Sequence, residues 1–137
     1  MRQGVRNVLV ALGVVTILAA TVGTASAREK FRTSATIGTG QTAGGQEFLD
    51  GKVKSPKASC RKQRKVILFW DDPAAPPTFR PVAMDTSSRS GRWKIDAPDT
   101  TIPPGTIPPG RYYVKVRPKG LAGDDRCKGA RSRTITV

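Results

Sequence analysis

Apolar residues follow two regimes along this chain. Val8 to Gly23 is an apolar stretch with no charge, and after Ala27 the apolar residues come in short runs, most of them alternating. Phe31, Thr33, Ala35 and Ile37 share one parity. Leu49, Gly51 and Val53 alternate with Asp50, Lys52 and Lys54, and Trp93 and Ile95 with Arg92 and Lys94. Tyr112, Val114 and Val116 alternate with Tyr113, Lys115 and Arg117 until Pro118 stops the run. A period of two is that of a strand with one face covered. Val66-Ile67-Leu68-Phe69-Trp70 is apolar at every position, as a central strand buried on both faces requires. Pro81 to Thr86 is a weaker strand placed at an edge, because Pro81 has no N–H to give a ladder. Ser132 to Val137 turns Ile135 and Val137 inward. After Ala27 no window carries apolar residues at helical spacing. The pattern predicts an all-β fold, an antiparallel β-sandwich of about seven strands. Gly38 to Gln46 is rich in Gly, Thr and Gln and reads as a flexible loop; Thr86 to Gly91 reads as a turn.

The first 27 residues change how the rest is read. Arg2 and Arg6 precede the apolar stretch, and Ala25-Ser26-Ala27 is a small-x-small cleavage site. This is the layout of a cleaved signal peptide over residues 1–27. The stretch of about 16 residues is shorter than the ~20 a membrane-spanning helix needs. The uncleaved anchor is the alternative. No Cys follows the small residues, which argues against a lipid anchor. The mature chain is then expected to start near Arg28, to be secreted or otherwise extracytoplasmic, and to be soluble. It forms one folded unit, with an N-terminal strand and Gly-rich loop over 28–47 and the sandwich over 48–137.

Charge and cysteines now carry weight. Removing Arg2 and Arg6 takes the 24 basic residues to 22 against ten acidic ones, a mature net charge of +12. Such a charge favours polyanions, and for an exported chain these are envelope polymers, anionic headgroups or extracellular nucleic acid. The alternative is a solvated surface with no ligand. Cys60 and Cys127 are the only two cysteines. In an oxidising compartment an even pair implies a disulfide, here closing a loop of about 68 residues and worth at most about 4.4 kcal/mol by chain entropy.

Four pieces occur in a fixed order. They are Phe48-Leu-Asp-Gly51-Lys-Val53, Val66-Ile-Leu-Phe69, Asp85-Thr86 leading to Gly91-Arg-Trp93-Lys-Ile95, and Pro109-Gly110-Arg-Tyr112-Tyr-Val114-Lys-Val116. This resembles the prealbumin-like (Ig-like) β-sandwich of carboxypeptidase regulatory-like domains. It is also similar to small exported bacterial proteins that add one cysteine before the apolar strand and one before the last strand. The resemblance covers residues 48–137 and implies a T-d-x-x-G-x-[FW] hairpin anchored by Trp93, with Tyr112 beside it. It implies no catalytic residue. Two departures are a longer hairpin turn and a doubled Ile-Pro-Pro-Gly unit over Thr101–Gly110. The doubled unit is expected to be extended and polyproline-like.

The chain holds no histidine. That removes His-based acid–base and nucleophilic catalysis and nearly every zinc site. No cofactor and no metal is implied; calcium at Asp71-Asp72 and Asp124-Asp125, or a carboxylate-pair glycosidase, is a remote reading. The chain is therefore expected not to be an enzyme. The strongest charge feature runs from Lys52 to Lys65, with Lys52, Lys54, Lys57, Arg61, Lys62, Arg64 and Lys65 and no acid among them. It is the candidate polyanion-binding segment, pinned by Cys60, with Arg61 and Arg64 expected on the surface. It lacks the interleaved aromatics of a single-stranded nucleic-acid site, so no specific nucleic acid is expected. The readings that follow are a non-enzymatic accessory, structural or interaction module at the cell envelope; a binder of anionic polymer or carbohydrate through residues 52–65; and, further off, a protease inhibitor presenting the Pro-Pro-Gly loop. The partner is an anionic envelope polymer or another envelope protein.

Overall fold

A computed structural model describes residues 28–75, 78–97 and 103–137. The signal segment 1–27 lies outside the described residues. The strands, in chain order, are β1 (Lys30–Phe31), β2 (Ser34–Ala35), β3 (Gly38–Gln41), β4 (Glu47–Lys54), β5 (Lys65–Asp71), β6 (Phe79–Thr86), β7 (Arg92–Asp96), β8 (Arg111–Val116), β9 (Lys119–Gly120), β10 (Arg126–Cys127), β11 (Ala130–Arg131) and β12 (Ile135–Thr136). Only two 3-10 turns, Ala58–Cys60 and Ala122–Asp124, interrupt them among the described residues. The fold is all-β, two main sheets packed as a sandwich.

One sheet runs β11-β8-β5-β6, with β12 also on β8. The other centres on β4, which β2 and β3 flank on one side and β7 on the other. A small third sheet, β1-β10-β9, carries Cys127; its β1–β10 pair is parallel, the one parallel ladder among the described strands. The core lies between the two main sheets. It holds Leu49 and Val53 of β4, Trp93 of β7, Val66 and Leu68 of β5, and Tyr112, Val114 and Val116 of β8, with Trp70 and Ile135 packed against it. The predicted parities of β4, β5, β7 and β8 hold here, and β5 is buried at Val66, Ile67 and Leu68 in succession; Ile135 packs on the core as expected, but Val137, expected inward, is exposed at the chain's end.

Three local expectations change. Gly38 to Gln41 is a strand: it pairs with β4 from Gly38↔Asp50 to Gln41↔Glu47. The segment has no apolar alternation, and one of its glycines makes room for a neighbour's ring. A Cβ on Gly40 would lie 2.3 Å from the Phe48 ring. Second, Phe31 to Ile37 is broken into β1 and β2, which join different sheets. Third, the Thr86–Gly91 turn joins no paired hairpin. β6 pairs with β5 and β7 with β4, so the chain crosses here between sheets. Gly91, at φ +87, sits against the Val53 carbonyl, which a Cβ would meet at 2.2 Å. β6 is an edge strand as expected but begins at Phe79, and a bulge opposite Leu68/Phe69 leaves Val82 unpaired.

Candidate functional site

Cys60 and Cys127 are bridged, with a Cα–Cα distance of 5.4 Å. Cys60 closes the 3-10 turn of the basic loop, and Cys127 lies in β10 opposite Phe31 and Lys119. The bridge therefore fixes the loop to the third sheet.

Arg64 makes the same connection through hydrogen bonds. It is 1 % exposed. One terminal nitrogen donates to the Cys60 carbonyl at 2.6 Å and to Thr33 Oγ1 at 3.2 Å. The other donates to the carbonyls of Arg117 and Lys128, both at 2.8 Å. Four segments thus meet on one guanidinium. Burial pushes its pKa down, but an arginine stays charged. The surface position expected for Arg64 is corrected: the fork is consumed by main-chain carbonyls and cannot meet a ligand. The loop needs such a partner because its irregular backbone leaves carbonyls without a ladder.

The remaining six cations do not form one patch. Lys52 and Lys54 project from the outer face of β4, and Lys65 from the outer face of β5 in the opposite sheet. Lys62 is exposed in the loop, while Arg61 is half-buried and its carbonyl accepts from Ser87 Oγ at 2.6 Å. Lys57 rests its ammonium 4.3 Å above the Phe31 ring. A cation outside the predicted segment joins them: Lys119 Nζ donates to the Lys62 carbonyl at 3.1 Å and the Ser59 carbonyl at 3.3 Å. Burial, then Arg64 and Lys62, push its pKa down. Nothing in the local sequence links Lys119 to residue 62; the disulfide brings them together.

Among the described residues no three metal-ligating side chains cluster. Asp71 is held by Arg111 Nε at 3.0 Å, Asp72 lies 3.8 Å from Arg80, and Asp125 accepts from the Glu29 N–H. Between the sheets an apolar cleft of about 190 Å³ is bounded by Leu49, Leu68, Trp70, Ile95, Ile107 and Tyr112. It is smaller than the ~300 Å³ at which ligand pockets begin. The single carboxylate on its lining, Asp96, pairs with Lys94 at 3.2 Å.

The doubled pentapeptide is docked against the sheets over its described part, 103–110, and bends at Gly105, φ +73, where an extended run was expected. Ile107 is buried, and its N–H donates to Glu47 Oε2 at 2.6 Å. The Gly105 carbonyl accepts from the Glu47 N–H, the Pro108 carbonyl from Tyr112 Oη and the Pro109 carbonyl from Trp70 Nε1. Thr101 and Ile102 lie outside the described residues.

No protein-family model matches this chain, and neither a curated protein nor a solved structure is similar enough to it to count as a match.

Proposed function

We propose that this chain is a non-enzymatic exported module of the prealbumin-like, carboxypeptidase regulatory-like kind, acting by contact at the cell envelope. The observation that carries this reading is the disulfide-closed loop, which holds Lys57 and Lys62 on a rigid base beside Lys119 with no acid in the segment. A structural disulfide suits an oxidising compartment, in keeping with the signal-like residues 1–27. The contact best matched to the charge is an anionic envelope polymer, and binding would be salt-dependent because each neutralised anion releases counterions. Retention of the mature chain on immobilised teichoic acid or heparin across a salt series tests it. Log affinity falling linearly with log salt is the expected result. Retention indifferent to salt, or none at low salt, removes the polymer and leaves a module whose partner is another envelope protein.

A further inference from the structure

The outer face of the five-stranded sheet is not a plain solvated face. Its residues alternate with the core positions of β5, β6 and β8, and three of them are aromatic: Phe69, Tyr113 and Phe79. Phe69 and Tyr113 are register partners and stack with centroids 4.9 Å apart at 4°. Phe79 meets Tyr113 edge-on at 4.8 Å. Every ring carries a cation. Arg131 lies 3.8 Å from the Tyr113 centroid, Lys115 5.3 Å from that of Phe69 and Arg111 5.2 Å from that of Phe79.

The charges on this face are uncompensated in an unusual way. Lys115 and Arg131 are direct register partners across β8 and β11. Lys65 and Arg117 face each other one step on, joined by the Arg117 N–H to the Lys65 carbonyl at 3.0 Å. Like charges directly opposite in a sheet destabilise it. Among the described residues the one acid on this face is Asp71, 4 % exposed and already engaged by Arg111. Among the described residues, four cations have no acidic partner, in two opposed pairs. An anion placed between the members of each pair would turn a cost into an attraction.

We infer that this face is a second, separate binding surface, and that it takes an anionic glycan, a linear sugar polymer bearing sulfate, carboxylate or phosphate at repeated spacing. The inference rests on the reading that the chain contacts an anionic polymer, and adds β8 and β11 to the Cys60 loop as the stronger of two contacts. The rings act as a platform that holds the cations in place, since a cation over a ring is attracted to its face. They do not offer stacking surfaces to a ligand. Tyr113 is 5 % exposed, with Phe69 on one side and the Arg131 guanidinium over it. Single-stranded nucleic acid needs free ring faces for its bases. A glycan recognised by its charged groups needs only the presented cations, and the planar guanidinium of Arg131 can engage an oxyanion with two parallel N–H groups.

The test compares two variants of equal charge in the mature chain. Lys115→Gln with Arg131→Gln removes two cations from the sheet face; Lys57→Gln with Lys62→Gln removes two from the loop. Heparin is the probe. The sheet variant should lose about tenfold in affinity near physiological salt and show a shallower salt dependence, while the loop variant loses less. Lys115→Arg with Arg131→Lys should restore binding. Equal losses in the two glutamine variants would overturn the sheet-face site while leaving polymer binding intact. No salt-sensitive binding by the wild type would overturn both. Hydrogen exchange of the wild type with heparin gives a second measurement that needs no variant: protection of 111–117 and 130–131 supports the site, and protection confined to 52–65 overturns it. An oligothymidine that binds more tightly than its abasic counterpart would show base stacking and overturn the glycan.

Discussion

Arg64 carries a full positive charge at 1 % exposure, and its contacts are three main-chain carbonyls and one hydroxyl. Lysine in its place has no planar fork to span four acceptors. Arg64→Ala leaves the buried Cys60 carbonyl and the part-buried carbonyls of Arg117 and Lys128 without this donor; a buried orphan costs about 1–3 kcal/mol and a part-buried one less. We therefore expect a loss of about 3 kcal/mol or more in urea unfolding, with Arg64→Lys recovering only part. From the sequence, Arg64 looked like its neighbours Arg61 and Lys62, because a buried cation solvated by carbonyls leaves no local pattern. Trp93 shows the opposite case. Its parity with Ile95 made it a core residue, and it is 2 % exposed. Its ring lies over Gly51, where a Cβ would come 2.9 Å from Trp93 Cζ2 and 2.0 Å from the Thr36 carbonyl. Trp93→Ala should cost about 3–5 kcal/mol through the cavity it leaves. Gly51→Ala should cost about 1–3 kcal/mol through overpacking. Chemical denaturation monitored by circular dichroism measures both. A Gly51→Ala protein as stable as wild type would mean that β4 and the Thr36 segment separate without penalty.

At the level of elements, β8 joins packing to pH response. Its Tyr112 hydroxyl donates to the Pro108 carbonyl at 2.6 Å. Burial first, and Asp72 second, raise its pKa above the ordinary 10.0. The unfolded chain loses this proton first, so between the unfolded and folded pKa values the native state binds more protons. Stability from this group is complete below about pH 10 and is lost as pH rises toward the folded value. Alkaline titration should show one phenol that ionises only as the chain unfolds, read from phenolate absorbance. Tyr112→Phe should abolish that coupling and cost about 1 kcal/mol at neutral pH through the lost hydrogen bond. Alternating or continuous apolar runs made β4, β5, β7 and β8 legible, because each buries its side chains by its own parity. β3 was not, because its contribution is an absence: Gly40 leaves space that Phe48, a residue of another strand, fills.

For the whole molecule, the disulfide spans a sequence separation of 67 residues and ties the loop after β4 to β10. Loop entropy of that size is worth up to about 4.4 kcal/mol, a large share of the 5–15 kcal/mol typical of a domain. Mild reduction should lower the unfolding midpoint and loosen Lys119 and Arg64 together, since both bond to the loop that Cys60 anchors. Peptide mapping without reductant should recover the Cys60–Cys127 pair, and two free thiols in the mature chain would contradict it.

The sequence by itself determined the all-β class, the buried parities of the main strands, the edge position of β6 and the two cysteines that must pair. These are one-dimensional facts: a period of two, a proline without an N–H, and a pair with one possible connectivity. Which cations act together was decided only by the tertiary structure. Lys52 and Lys65 belong to one acid-free run of the chain but leave opposite faces of the sandwich. Lys115 and Arg131 belong to no such run, with Asp124 and Asp125 between them, and are adjacent across a ladder. Charge acts through space, and only the sheet register converts distance along the chain into distance between groups.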